Sequence, residues 1–369
     1  MQSTGKKGLV VIASVLKPVD DTRMLEKMGA SLAQSGYPVI IIGQVTISIP
    51  VYPNISFIPL KRVNRVSIDR LLLPIKIALN TYQLKPEYLI ANTHELLIVS
   101  LVNRIFFGTK ILYDIRENYY RNIRFAETYP PVLRVVLALI VRLKEKLTSP
   151  FIHHYFLAEK AYRHELGFLG KRFTILENKA LLPPGFVRTA DPKALQLIFT
   201  GTIARSTGVF DAIALAEKLH TLDPMVRLTI VGYCALAQVR SALLKEIENK
   251  PFIRLIGIHQ PVPHPDIIEQ IAQANFGIIY YPPSPHTEGA MPTKLYEYLA
   301  AQLPILTWPR QRFSDLVLQH QAGLCVGVNF DQLLQEMRSA TFYPKAIPNV
   351  SWESEKLISV MEGLKARSS

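Results

Sequence analysis

Lys294 and Glu297 stand three residues apart in the run Met291-Pro292-Thr293-Lys294-Leu295-Tyr296-Glu297-Tyr298-Leu299-Ala300-Ala301. The run predicts a helix over 292–301 with both side chains on one face. Pro292 at its start forgoes an amide donor that the first turn does not need, and the free amides of that turn point at whatever lies before them. An ammonium there can hold a phosphate, while a carboxylate one turn deeper can accept hydrogen bonds from ribose hydroxyls. The plain alternative is an ordinary Lys-Glu pair on a helix surface.

A second stretch, Gly201-Thr202-Ile203-Ala204-Arg205-Ser206-Thr207-Gly208, offers what a diphosphate needs. A glycine closes the strand, the small hydroxyl residues Thr202, Ser206 and Thr207 leave room, and the helix opening at Gly208 aims its amides at an anion. Arg205 and Lys294 add positive charge. A plain strand-to-helix turn is the competing description. A dinucleotide fingerprint is excluded, because no Gly-x-Gly-x-x-Gly follows a strand. Metal chemistry is not expected: His153-His154, His259, His264 and His286 lack zinc-ligand spacing, and no Asp-x-Asp pair occurs. Neither a nucleophile elbow nor a P-loop is present.

The elements that would position these residues alternate. The run over 9–15 is continuously apolar, as a strand buried on both faces of a parallel sheet must be. A helix over 22–35, ended by Gly36, and a strand over 38–42 complete a strand-helix-strand unit. The alternation continues through a strand at 88–91, a helix at 95–107, a strand at 110–114, a helix at 131–147, a strand at 155–157, a helix from Glu159 and a strand at 173–176. After a proline-bearing loop at 181–192, a second series begins at 195–200. Strands at 227–231, 253–256, 276–281 and 304–307 alternate there with helices at 208–219, 237–249, 266–274 and 292–301. Trp352 opens a last helix. The domains expected are 1–183 and 184–345, both Rossmann-like, with 346–369 crossing back to the first. Ligands of open parallel sheets bind beyond the carboxyl ends of the strands, so two such domains are expected to form a cleft between them.

A length of 369 residues favours two domains over one core. Nearly half the residues are apolar, which excludes a disordered chain. The excess of 42 Lys plus Arg over 29 Asp plus Glu favours an anionic partner, either a nucleotide diphosphate, a phospholipid surface or nucleic acid. No nucleic-acid module accompanies the charge. Cys234 and Cys325 are far apart in strand-like surroundings and suit buried thiols in a reducing compartment. The N-terminus resembles a short signal peptide without a cleavage site and reads better as a first strand. No apolar run reaches the ~20 residues needed to span a bilayer, so a membrane would be met at its surface. The helix over 130–146 has Leu133, Val136, Leu137, Ile140 and Leu143 on one side and Arg134, Arg142, Lys144 and Lys146 beside them. That pattern suits an anionic headgroup layer, and equally a helix packed on its own sheet.

The run MPTKLYEYLAAQLPIL resembles the donor-binding segment of the large retaining GT-B glycosyltransferase family usually numbered four. Other similarities follow in the family's order. Asp21-Thr22-Arg23 with Gly36-Tyr37-Pro38-Val39 resembles the opening loop and helix. Asn92-Thr93-His94-Glu95 and Tyr113-Asp114-Ile115-Arg116-Glu117 resemble the His-Asp and Asp-x-His-Glu stretches. Ile175-Leu176-Glu177-Asn178 resembles the close of the first domain. Phe199-Thr200-Gly201-Thr202 with Gly208 resembles the glycine loop, and Ser351-Trp352-Glu353 the segment that crosses back.

The resemblance implies a GT-B α/β fold and transfer of a sugar from a nucleotide-diphosphate sugar with retention of configuration. No cofactor or metal is implied. Arg205, Lys294 and Glu297 would be catalytic, and Gly201, Thr202, Ser206, Thr207, Gly208, Glu288 and Thr293 would bind the donor. On the acceptor side would stand Arg23, His94, Arg116 and Glu117. Arg23 would reach a phosphate or a sugar, against the alternative of a solvated arginine in a capping loop. Arg116 takes the place of the family's His and favours an anionic ligand. The implied partners are the donor and a glycan or lipid-linked acceptor, with an anionic membrane surface as a candidate and no nucleic acid. A cytoplasmic place, peripheral on the inner face of the membrane, and a part in bacterial envelope polysaccharide synthesis follow from the same likeness. Two departures stand out. Eight residues separate Glu288 from Glu297 where the family has seven, and Thr202 and Thr207 occupy the places of the family's Arg and Lys. A non-catalytic GT-B partner subunit and a nucleotide-sugar epimerase are therefore the alternatives.

Overall fold

The computed structural model describes residues 7–46, 49, 51–63, 67–125, 130–283, 291–309 and 311–366. The chain divides into two compact units, Met1–Asn178 together with Glu353–Ser369, and Lys179–Trp352.

In the first unit seven parallel strands run β1 (Val10–Pro18), β2 (Val39–Gln44), β3 (Ile55–Leu60), β4 (Tyr88–Ala91), β5 (Lys110–Ile115), β6 (His154–Leu157) and β7 (Phe173–Ile175). Their spatial order is β3-β2-β1-β4-β5-β6-β7. A π-helix, Arg23–Gly29, leads into α1 (Ala30–Gln34); α2 (Ile68–Leu84), α3 (Leu96–Phe107), α4 (Tyr119–Phe125), α5 (Pro131–Thr148) and α6 (Tyr162–Glu165) follow. Val10 to Ala13 are fully buried, as the central strand of such a sheet requires. β3 and α2 are not predicted from the sequence, and both carry a proline. Pro59 is tolerated because β3 lies at the sheet's edge. Pro74 interrupts the helical pattern of α2 without ending the helix.

In the second unit the strands are β8 (Leu195–Thr202), β9 (Val226–Tyr233), β10 (Ile253–Ile258), β11 (Phe276–Ile278), β12 (Ile305–Thr307) and β13 (Gly323–Cys325). All pair in parallel in the order β10-β9-β8-β11-β12-β13. Between them run α7 (Val209–Leu222), α8 (Ala237–Ile247), α9 (His264–Ala272), α10 (Thr293–Ala300) and α11 (Ser314–Gln319), and α12 (Phe330–Ser339) follows β13. Leu197 and Phe199 enter one core and Ile198 the other, so β8 is covered on both faces. α13 (Ser354–Ala366) packs on α1 and the π-helix of the first unit. β13, α11 and α12 are also absent from the sequence reading: the strand has only three residues, and α12 is polar over most of its surface. Cys234 is buried and Cys325 partly so.

Each sheet reverses its strand order beside its first strand, at β1/β4 and at β8/β11. The crevices beyond those carboxyl ends are where open α/β sheets take ligands. The glycine loop follows β8 and the Lys294 helix follows the segment after β11. The loop of Arg23 follows β1, and His94 follows β4.

Candidate functional site

In the second unit the last residue but one of β8 is Gly201, whose φ of 99° is open to glycine and strained for other residues. The loop then ties itself down. The Thr207 hydroxyl accepts from the Ala204 amide at 3.1 Å and lies 2.8 Å from the Thr202 carbonyl oxygen. Gly208 (φ 76°) begins α7, and a Cβ there would stand 2.5 Å from the Tyr280 carbonyl oxygen. Only glycine fits both the angle and the space, which brings the start of α7 against the segment after β11. Thr202 is exposed and Ser206 half-buried. Arg205 is exposed, and its guanidinium lies over the Phe210 ring at 4.5 Å. The loop therefore has room, while the Thr207 hydroxyl and the amides of Ala204, Thr207 and Gly208 are spent within it.

α10 starts one residue later than its sequence suggests, with Pro292 as the capping residue and half-buried Thr293 as the first helical one. Lys294 and Glu297 are each 6 % exposed, so the surface-pair alternative does not hold. The Lys294 ammonium lies 3.7 Å from the centre of the Phe199 ring and has no hydrogen-bond partner among the described residues. Its Cε lies 3.9 Å from the position a Cβ of Gly201 would take. Burial pulls the ammonium down to about 7, and the nearby Glu297 carboxylate only partly offsets this. Glu297 Oε1 is 3.2 Å from His264 Nε2, at the start of α9. The Tyr298 hydroxyl accepts from the Thr200 amide at 3.2 Å and lies 3.0 Å from the Thr200 hydroxyl, pinning α10 to the end of β8. The structure thus brings Gly201, Lys294 and Glu297 together at the β8/β11 switch point. Glu288 lies outside the described residues.

His264 and Tyr298 complete this corner, and sequence reasoning assigned neither. Tyr298 lies in the helical run, where its apolar neighbours read as core. His264 is 33 residues from Glu297 and gives no local signal.

In the first unit the polar residues after β1, β4 and β5 interlock. Arg23 is 1 % exposed; its Nη2 donates to Asp114 Oδ1 at 2.6 Å and to the Leu176 carbonyl at 2.9 Å. Asn92 adds a bond of 3.2 Å to the same carboxylate. A solvated Arg23 is therefore incorrect: the guanidinium braces the strand ends, and removing it would leave Asp114 buried and uncompensated. Arg116 pairs with Asp21 at 2.7 Å. Burial pushes the Asp21 carboxyl up, but Arg116, Lys17 and the Met24 amide outweigh it and hold the group at about 2. His94 is buried, with the Lys144 ammonium 2.7 Å from its Nδ1. Burial lowers it to about 4 against the pull of Glu95, so the ring is neutral near pH 7. Glu117 is exposed and accepts from the Asn122 amide group at 2.7 Å. Among the described residues no group of three His, Cys, Asp or Glu side chains is placed to hold a metal ion.

No protein-family model and no curated protein sequence matches the chain. Solved structures do. A sucrose-phosphate synthase from Thermosynechococcus elongatus is similar with a TM-score of 0.69 and 13 % identity, over 98 % of each chain. HepE of Anabaena, in complex with UDP-glucose, matches with a TM-score of 0.63 and 10 % identity, over 97 % of this chain and 100 % of its own. A UDP-forming α,α-trehalose-phosphate synthase from Burkholderia xenovorans, in complex with glucose-6-phosphate, matches with a TM-score of 0.63 and 9 % identity, over 98 % and 99 %. At these identities the likeness establishes architecture: two parallel-sheet α/β units, of seven and six strands, in the GT-B fold.

Proposed function

We propose that this protein is a glycosyltransferase that moves a sugar from a nucleotide-diphosphate sugar to a glycan or lipid-linked acceptor. The observation that carries the reading is the corner of the second unit where Lys294, buried and without a hydrogen-bond partner among the described residues, meets the glycine loop. A buried ammonium of this kind is poorly solvated until an anion reaches it. The similarity in fold to a UDP-glucose complex and a UDP-forming synthase supports a nucleotide sugar as that anion.

Sugar transfer builds negative charge on the departing diphosphate and positive charge at the anomeric carbon. The first-turn amides of α7, which follow Gly208, with Lys294 and Arg205, would stabilise the leaving group; Glu297, steadied by His264, would hold the ribose. Gly201, Thr202, Ser206, Thr207 and Thr293 would shape the donor site, Thr207 through the loop rather than through its own hydroxyl. On the acceptor side Arg116 and Glu117 would face the substrate, with Arg23 and His94 holding them in place. Retention would follow from same-face attack, in which a phosphate oxygen takes the proton of the acceptor hydroxyl. No metal or cofactor takes part in this scheme. A lipid-linked acceptor would set the reaction at the inner, cytoplasmic face of a bacterial membrane, in the making of envelope polysaccharide.

Thermal denaturation with saturating UDP-, GDP- and ADP-sugars tests the reading. At ligand a hundredfold above Kd the correct donor stabilises by about 2.7 kcal/mol, a rise of roughly 5–10 °C. Glu297→Ala is expected to remove most of that rise. No rise with any nucleotide sugar would overturn the reading and favour a non-catalytic subunit, and turnover of the bound sugar without an acceptor would favour an epimerase.

A further inference from the structure

Three neighbouring helices of the first unit carry apolar residues outward as well as inward, where Leu73, Ile77, Leu96 and Leu97 join the core. α2 packs on α3, and α3 on α5. On α5 the residues Val132, Leu133, Val136, Leu139, Ile140 and Leu143 form an exposed stripe at helical spacing, continued by Leu147. The covered side of the same helix carries Ala138, Val141, Glu145 and Thr148, with Glu145 accepting a hydrogen bond from the Tyr113 hydroxyl at 3.1 Å. α3 repeats the arrangement. Ile98, Val102, Ile105 and Phe106 are exposed, Ile105 by 76 %, whereas Ser100 and Asn103 are buried. On α2 the exposed set is Leu71, Leu72, Ile75, Leu79 and Tyr82, while buried Thr81 accepts from Asn103 at 2.8 Å. A helix that packed only on its own sheet would turn a polar face outward. Exposed apolar residues scattered singly are ordinary, but contiguous stripes on adjoining helices mark a surface that meets something apolar.

The charges along these stripes select the occupant. Lys76 and Lys146 are exposed within the stripes by their spacing, and Arg134 is half-buried beside Leu133. The three helices have two carboxylates, exposed Asp69 and buried Glu145. Beyond the last turns of α3 and α5 a cavity of about 300 Å³ is lined by Arg104, Lys110 and Arg172, with neutral His153 among them. An apolar plane edged by cations complements the headgroup and upper acyl layer of an anionic membrane. No helix among the described residues is long and apolar enough to cross a bilayer, so the contact would lie in the surface plane.

We infer that the face formed by α2, α3 and α5 docks the protein onto an anionic lipid surface. The inference deepens the acceptor side of the proposed reaction, and rests on that reading only for its purpose.

The test is flotation of the full chain with phosphatidylcholine vesicles, with and without about one third phosphatidylglycerol. Protein should float with the anionic vesicles at 50 mM salt, at least about tenfold less with the neutral ones, and less again at 500 mM salt. The double variant Ile140→Glu/Leu143→Glu and the single variant Ile105→Glu should each weaken binding at least about tenfold, with Tm and the donor-induced rise in Tm unchanged. Val328→Glu, an exposed apolar residue of the second unit, should leave flotation as it was. Absence of flotation at low salt, or flotation indifferent to these substitutions, overturns the proposal. So does a dimer in light scattering that Ile140→Glu/Leu143→Glu dissolves, which would give the face to a second copy. Because donor binding is read separately, failure here leaves the proposed reaction standing, and the reverse.

Discussion

An ammonium stacked over the Phe199 ring, shielded from water, is the most consequential single group in the second unit. In the unfolded chain Lys294 keeps its proton to about pH 10.5, whereas in the folded chain it keeps it only to about 7. Between those values the unfolded state binds more protons, so this group's contribution to stability rises as pH rises through the window. Lys294→Met is therefore expected to melt a few degrees above the wild type at pH 6, with the gap narrowing toward pH 9. It should also lose the donor-induced rise in Tm. A variant that melts below the wild type at both pH values would show that the ammonium is satisfied in the free protein, contrary to the role given it here. Glu297 and His264, by contrast, each already have the other as a partner at 3.2 Å.

The loop from β8 to α7 is the element that must hold its shape before any ligand arrives. Gly208 combines a φ of 76° with the Tyr280 carbonyl oxygen 2.5 Å from where a Cβ would stand. Gly208→Ala should therefore cost about 2 kcal/mol or more, lowering Tm by roughly 4–8 °C in urea-free thermal denaturation. An unchanged Tm would mean that the loop can move away from Tyr280 and is not preformed. The strand before this loop and the helix after it are legible in the sequence, because a doubly buried strand is an unbroken apolar run. The helix over 292–301 is legible from Pro292 at its start, and the three-residue spacing of Lys294 and Glu297 puts both on one face. What the sequence hides is long-range. His264 meets Glu297, and Asp114 meets Arg23 across 91 residues, without any pattern that announces it. The sequence leaves Arg23 open between a ligand-binding and a solvated arginine, and only the buried Asp114 carboxylate excludes the solvated one. The stripe on α5 is visible in the sequence. Its continuation on α3 is not, since LLIVSLVNRIFF is apolar nearly all round and only its neighbours decide which side is covered.

On the scale of the whole molecule, two sheets each gather polar residues beyond the switch point of the strand order, where side chains from several strands converge. The net charge of +13 is divided between two uses in this account. Lys294 and Arg205 would serve a diphosphate in the second unit, while the cations of α2, α3 and α5 would serve a lipid surface in the first. The two are separable by salt, because screening weakens an exposed surface contact far more than a buried ion pair.

In the proposed reaction a nucleotide diphosphate is gripped by the Gly201–Gly208 loop and the first turn of α10. Amide hydrogen exchange of the full chain, with and without the nucleotide that raises its Tm most, tests this directly. Slowed exchange is expected over residues 201–210 and 293–297. Nucleotide binding that leaves both stretches exchanging at their free rates, or that slows exchange only in the first unit, would contradict it.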